Sequence, residues 1–140
     1  MYESLTVFID QLDSDDYGTW HVDKENDGSA EHPIQLPFVI YGRVVQELEE
    51  AVNLFAIERR EMMLTGYRNI LEANGISWNT QSMTNADISV LDGQAVMALL
   101  VGAVRAERFC DGALLEFLEN GSIKRWLERL RELEPDENSK

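Results

Sequence analysis

The sequence predicts a mainly α, single compact domain of about six helices around a buried central helix, with a small two-stranded β element near the N-terminus. Three observations carry that prediction. From Ala95 to Val104 the chain has no charged residue. Such a run is too long for an ordinary strand and too short for a membrane span, which needs roughly 20 apolar residues. A central helix over Gln94 to Phe109, apolar on nearly all sides, accounts for it. Two further stretches repeat apolar residues at three and four positions, and no Pro/Gly/Ser-rich linker divides the chain.

In chain order, Leu5, Phe8, Ile9 and Leu12 sit at helical spacing and predict a short amphipathic helix that ends in the turn-forming DSDD cluster. The β-branched and aromatic residues of Gly18 to Val22 and of Pro33 to Tyr41 predict two short strands. The two prolines confine the second to an edge, or to its part after Pro37. The polar segment Asp23 to His32 joins them as a long hairpin loop.

From Gly42 onward Val44, Val45, Leu48, Ala51, Val52 and Phe55 form an apolar stripe opposite Gln46, Glu47, Glu49 and Glu50, which predicts a helix packed on the core. After the ERRE interruption, Met63 to Ala73 predicts another, closed at Asn74-Gly75. Ile76 to Asp87 is expected to be an ordered loop. Ser89 or Asp92 is expected to cap the central helix. Cys110-Asp111-Gly112 then breaks the chain before a short helix over Ala113 to Glu119. Ser122 is expected to cap a last helix with Ile123, Trp126, Leu127, Leu130 and Leu133 inward and Lys124, Arg125, Glu128, Arg129 and Arg131 toward water.

A chain of 140 residues, 44% of them hydrophobic, suffices for one ordinary core. The globular domain is assigned to 1–134 and an acidic, disordered tail to 135–140. With 26 acidic against 12 basic side chains, a net charge of −14 repels phosphate backbones and argues against a nucleic-acid partner. The single cysteine, Cys110, excludes an intrachain disulfide and fits a reducing compartment. The N-terminal MYESLTVFIDQL lacks the pattern of a secretory signal, so a cytoplasmic protein with no membrane partner is expected.

Four clusters carry candidate chemistry. Asp23, Glu25 and Asp27 followed by Gly28 resemble the first half of a calcium loop, but Ile34 stands where a bidentate glutamate belongs. If the two strands pair, His21, Asp23, Asp27 and His32 form a candidate metal set for zinc or manganese; the plainer reading is a solvated acidic turn and a packed histidine. Cys110 has Arg105 and Arg108 on preceding turns, which could stabilise a thiolate, although a cysteine more often behaves as a small apolar residue. Arg105 and Arg108 are the candidate anion-binding pair, since guanidinium groups hold carboxylate or phosphate through paired hydrogen bonds. Glu107 and Asp111 are the accompanying polar cluster. The plainer account is that cations at a helix C-terminus complement its dipole and pair with neighbouring acids. The tryptophan-bearing segment Ser77 to Asn85 is a candidate cover for a pocket beside this cluster.

The stretches GTWHVDKENDG, EHPIQLPFVIY and NADISVLDGQAVMALLVGAVRAERFCDGALLEFLENGSIKRWLERL together resemble domain-of-unknown-function family 6508, most specifically over MALLVGAVRAERFCDGALLEFLENGSIKRWL. The resemblance covers nearly the whole chain. It implies a self-contained bacterial domain and supplies no activity, cofactor, partner or site residue to carry over. The expected function is therefore a small non-catalytic binding or interaction module, with a protein partner or a homodimer through the Gly42 helix or the last helix as the partner class. The cofactor stays unknown. The rivals are a hydrolase-type enzyme using a metal or the arginine clamp, and an acidic mimic of nucleic acid.

Overall fold

The helix predicted at the centre of the chain is where the core sits. In a computed structural model, which describes residues 1–13, 17–21, 29 and 38–134, helix α5 spans Gly93–Ala106 and every residue from Ala95 to Ala103 is buried. Asp92 is its cap, accepting the Ala95 N–H at 2.9 Å. Burial of Val96, Met97, Leu99, Leu100 and Val101 contributes a gross transfer energy of about 1.5 to 3 kcal/mol each. Val104, expected to be inside as well, is only half-buried because it lies on the last turn as the helix leaves the core.

The other elements wrap this helix. Helices α1 (Glu3–Thr6), α2 (Arg43–Glu58), α3 (Tyr67–Ala73), α4 (Thr80–Asn85), α6 (Ala113–Glu119) and α7 (Ser122–Leu133) complete the helical set among the described residues. Short 3₁₀ turns lie at Asp10–Asp13, Arg60–Met62, Leu64–Gly66 and Ile88–Val90. Helices α2, α3, α6 and α7 all pack on α5. The stripes predicted for α2 and α7 are the buried ones: Val45, Leu48, Val52 and Phe55 in the first, Ile123, Trp126, Leu127 and Leu130 in the second. Rings meet inside, with Phe117 and Trp126 centroids 5.4 Å apart. Strands β1 (Gly18–His21) and β2 (Phe38–Tyr41) pair antiparallel, in a register that sets Gly18 opposite Tyr41 and His21 opposite Phe38.

Three local expectations need correction. The segment after Trp78 is not a loop but helix α4, held by the Asn79 side chain accepting the Ser82 N–H at 2.7 Å and by burial of Met83. Ser122 does not cap α7; it is the first helical residue, its side chain is fully buried, and Asn120 Oδ1 accepts its N–H at 2.9 Å. Arg129 does not simply face water either. It is half-buried and donates to the Leu91 carbonyl at 3.1 and 3.3 Å, while Arg125 donates to the Thr84 carbonyl at 3.1 Å, so α7 is stitched to the segment before α5. The loop carrying Asp23, Asp27 and His32, and the tail 135–140, lie outside the described residues. Among the described residues, no helix is long and apolar enough to cross a membrane.

Candidate functional site

The end of α5 organises the surface because the chain must turn there from a dry helix into α6. The turn is made by Glu107 to Gly112, and Glu107 folds back over it. Its carboxylate accepts the Gly112 N–H at 2.9 and 3.1 Å and the Leu114 N–H at 3.0 Å. These are the N-cap and first-turn amides of α6, whose N-cap residue, Gly112, has φ +89° and no side chain to offer. An acid five residues upstream thus satisfies donors that the helix leaves open, where the helix dipole favours negative charge.

Tyr41, from the last position of β2, completes the network. Its hydroxyl donates to Glu107 Oε1 at 2.6 Å and accepts the Leu115 N–H at 2.9 Å. Burial, then the hydrogen bond to the Glu107 carboxylate, pushes the Tyr41 hydroxyl well above its ordinary pKa. Burial, and then the charge of Glu107, raise the Glu49 carboxyl. Glu107 is therefore occupied in holding the turn, and it parts company with Asp111, which is exposed.

Next to this turn lies a cavity of about 350 Å³. Trp20 from β1, Trp78 from the segment before α4, and Phe109 from the turn line it, over a floor that includes Met83 and Phe117. Trp20 is 47% and Phe109 76% exposed. Trp78 is fixed from several sides: its indole N–H donates to the Gly102 carbonyl at 3.0 Å, and its ring meets Tyr67 and Phe109 edge-on, both at 5.6 Å between centroids. Gly102 permits this approach, since a Cβ there would stand 3.1 Å from Met83 Cε and 3.4 Å from the indole. The Arg68 guanidinium sits over the Trp78 ring at 4.8 Å, a cation–π contact. Trp20 lies directly against Gly112 at the other side of the mouth. Asp111 and Glu116 line the cavity, are exposed, and have no ion pair or side-chain hydrogen bond among the described residues. Cys110 lines it too.

Phe109 also lines a second cleft on its other side, and it is there that Arg105 and Arg108 are found. The two arginines share that cleft, as their spacing on one face predicts, and neither lines the cavity that holds Cys110 and Asp111. The segment bearing Trp78 does cover a pocket beside the end of α5, on the Asp111 side. Of the metal set only His21 is described; its ring packs against Phe38 with centroids 5.0 Å apart. Asp23, Asp27 and His32 lie outside the described residues, and among those described no group of three His, Cys, Asp or Glu side chains is placed to hold a metal ion.

The sequence singles out neither Tyr41 nor Trp20, and it offers Glu116 only as an ion-pair partner for the arginines, a pair not found among the described residues. Tyr41 is separated from Glu107 by 66 positions, so no local pattern links them. A signal for Phe109 did exist: an aromatic residue set among charges just past a dry helix is out of step with the apolar period.

No curated protein and no solved structure matches the chain. A family model described as a family of unknown function (DUF6508) matches residues 2–136. With nearly its whole length matched, and with the cavity-lining Trp20, Trp78, Phe109, Asp111 and Glu116 all inside the match, the chain belongs to that family.

Proposed function

We propose that the protein is a non-catalytic binding module whose ligand is an organic cation with an apolar body, seated in the aromatic cavity. One observation carries the reading. Three aromatic rings from three separate elements converge on a single cavity whose rim holds two carboxylates that have no partner among the described residues. Ring faces attract a desolvated cation by about 0.5 to 2 kcal/mol each, and trimethylammonium-type groups are the ligands best matched to several rings at once. Arg68 over Trp78 supplies an internal precedent, since that ring already serves one cation of the protein itself. Asp111 and Glu116 add charge complementarity, and a net charge of −14 steers cations inward. The volume, about 350 Å³, is in the ordinary range for a small-molecule pocket.

The test uses tryptophan fluorescence, with choline as the cationic probe and 3,3-dimethylbutan-1-ol as its uncharged isostere. Saturable quenching by choline, with the isostere about tenfold weaker, is the expected result, a factor equal to about 1.4 kcal/mol. E116Q and W78F each weaken choline binding. Equal affinity for the two probes, or no saturable response to choline, overturns the reading.

A further inference from the structure

We propose a second ligand site, on the far side of Phe109 and separate from the aromatic cavity, that takes an oxyanion carried on an apolar body. Arg105, on the last turn of α5, stands between two clefts of about 300 and 500 Å³ and lines both, together with Ala56, Leu64 and Thr65. Arg108 lines the first cleft and Arg60 the second. Among the described residues, no carboxylate lines either of them.

The charges around these clefts are the unusual feature. In a chain with 26 acidic and 12 basic side chains, Arg60, Arg105 and Arg108 have neither an ion pair nor a side-chain hydrogen bond among the described residues. Elsewhere most arginines are used: Arg43 pairs with Glu47 at 2.9 Å, Arg129 with Glu132 at 3.2 Å, and Arg125 bonds the Thr84 carbonyl, while Arg131 stands exposed on α7. Arg105 is also half-buried, so it is partly desolvated with no compensating acid among the described residues. The negative end of the α5 dipole offsets part of that cost but leaves the planar fork of guanidinium donors unfilled. A carboxylate or phosphate group fills that fork with paired, charge-assisted hydrogen bonds.

The apolar half of the ligand follows from the walls. Val101 and Tyr67 face the first cleft, Ile57 and Met63 the second. Ile57 and Met63 are 65% and 70% exposed, which leaves apolar surface for a ligand to cover. Met63 is also the only non-glycine residue with positive φ among those described, at φ 55° and ψ 41°. Such conformations collect at ligand clamps, and here the strained residue forms the lip of the cleft.

Calorimetric titration with octanoate, octan-1-ol and inorganic phosphate tests the site. Octanoate binds saturably, octan-1-ol about tenfold weaker or worse, and the octanoate affinity falls as salt is raised. R105M keeps the aliphatic stem and lowers octanoate affinity about tenfold at an unchanged unfolding midpoint, whereas R131Q, on an exposed position of α7, leaves it unchanged. Should R105M unfold, R105K carries the same comparison, as a compact charge without the planar fork that binds about threefold more weakly. Octan-1-ol binding as tightly as octanoate overturns the oxyanion; phosphate alone binding as tightly overturns the apolar body. No saturable octanoate binding, or an unchanged affinity in both folded Arg105 variants, overturns the site itself. Choline binding at the aromatic cavity is read separately in each variant, because no arginine lines that cavity.

Discussion

The Tyr41 hydroxyl donates to the Glu107 carboxylate at 2.6 Å while accepting the Leu115 N–H at 2.9 Å, so one phenol joins the β-hairpin to the start of α6. Y41F removes both bonds and leaves an amide at the helix start without its acceptor. The expected cost is about 1 to 3 kcal/mol, read from denaturant unfolding. A double-mutant cycle with E107Q should show a coupling of about 1 kcal/mol, and additive losses would contradict the network. The pH dependence has a definite sign. The Tyr41 pKa is raised in the folded chain, so the unfolded chain loses this proton first, from about pH 10 upward. Its contribution is complete below that pH and is lost as pH rises through the folded value. Y41F should therefore flatten the alkaline limb of stability, leaving the share of Tyr2, whose pKa burial also raises.

Glu49 gives a second pH effect, on the acid side of the profile, running upward from the ordinary carboxylate range. Its carboxyl is raised by burial and then by the Glu107 charge, so the folded chain holds this proton more tightly than the unfolded one. The resulting stability is present below about pH 4 and is lost as pH rises through the folded pKa. E49Q should stabilise the protein at pH 7, and the gain should vanish below about pH 4. Unfolding midpoints measured across that range check it; a gain that is independent of pH would rule out the charge as its origin.

Gly112 is the tightest point in the candidate site. Its φ is +89°, and a Cβ there would collide with the Trp20 ring. G112A should cost about 1 to 3 kcal/mol from the left-handed conformation and should push Trp20 off the mouth of the cavity. The measurable sign is a red-shifted tryptophan emission together with weaker choline quenching. Retention of both wild-type signals would show that Trp20 does not need this seat.

Helix α5 was legible because a buried helix writes its environment on every position from Ala95 to Ala103. Helix α7 was legible because Ile123, Trp126, Leu127 and Leu130 repeat with the helical period. Helix α4 was not, because Thr80–Asn85 has one buried apolar residue, Met83, and owes its form to the Asn79 cap. The site divides in the same way. Arg105 and Arg108 could be picked out as cations ending a dry helix, and they do share a cleft. Trp20 could not, since it joins Trp78 and Gly112 at the cavity only across a large sequence separation, and Arg60 could not be linked to Arg105, because over such separations local periodicity carries no information. Glu107 and Asp111 were grouped by proximity in sequence, yet the backbone turn sends one to the α6 amides and the other to the cavity rim.

The docking of Trp20 on Gly112 ties the hairpin to the start of α6. The hairpin meets the α6 region only by closing a long loop, with Tyr41 and Leu115 separated by 74 positions, and that closure costs chain entropy before any contact offsets it. The helical core at Ala95 to Ala103 is instead held from several sides at once, by α2, α3, α6 and α7. Amide hydrogen exchange at Thr19 and Ile40 should accordingly report an opening of lower free energy than exchange at Leu99, because the hairpin can undock while the core stays closed. A ligand gripping Trp20 binds only the docked form, so saturating it slows exchange in the hairpin and leaves the deepest amides of α5 nearly unchanged wherever they open independently of it.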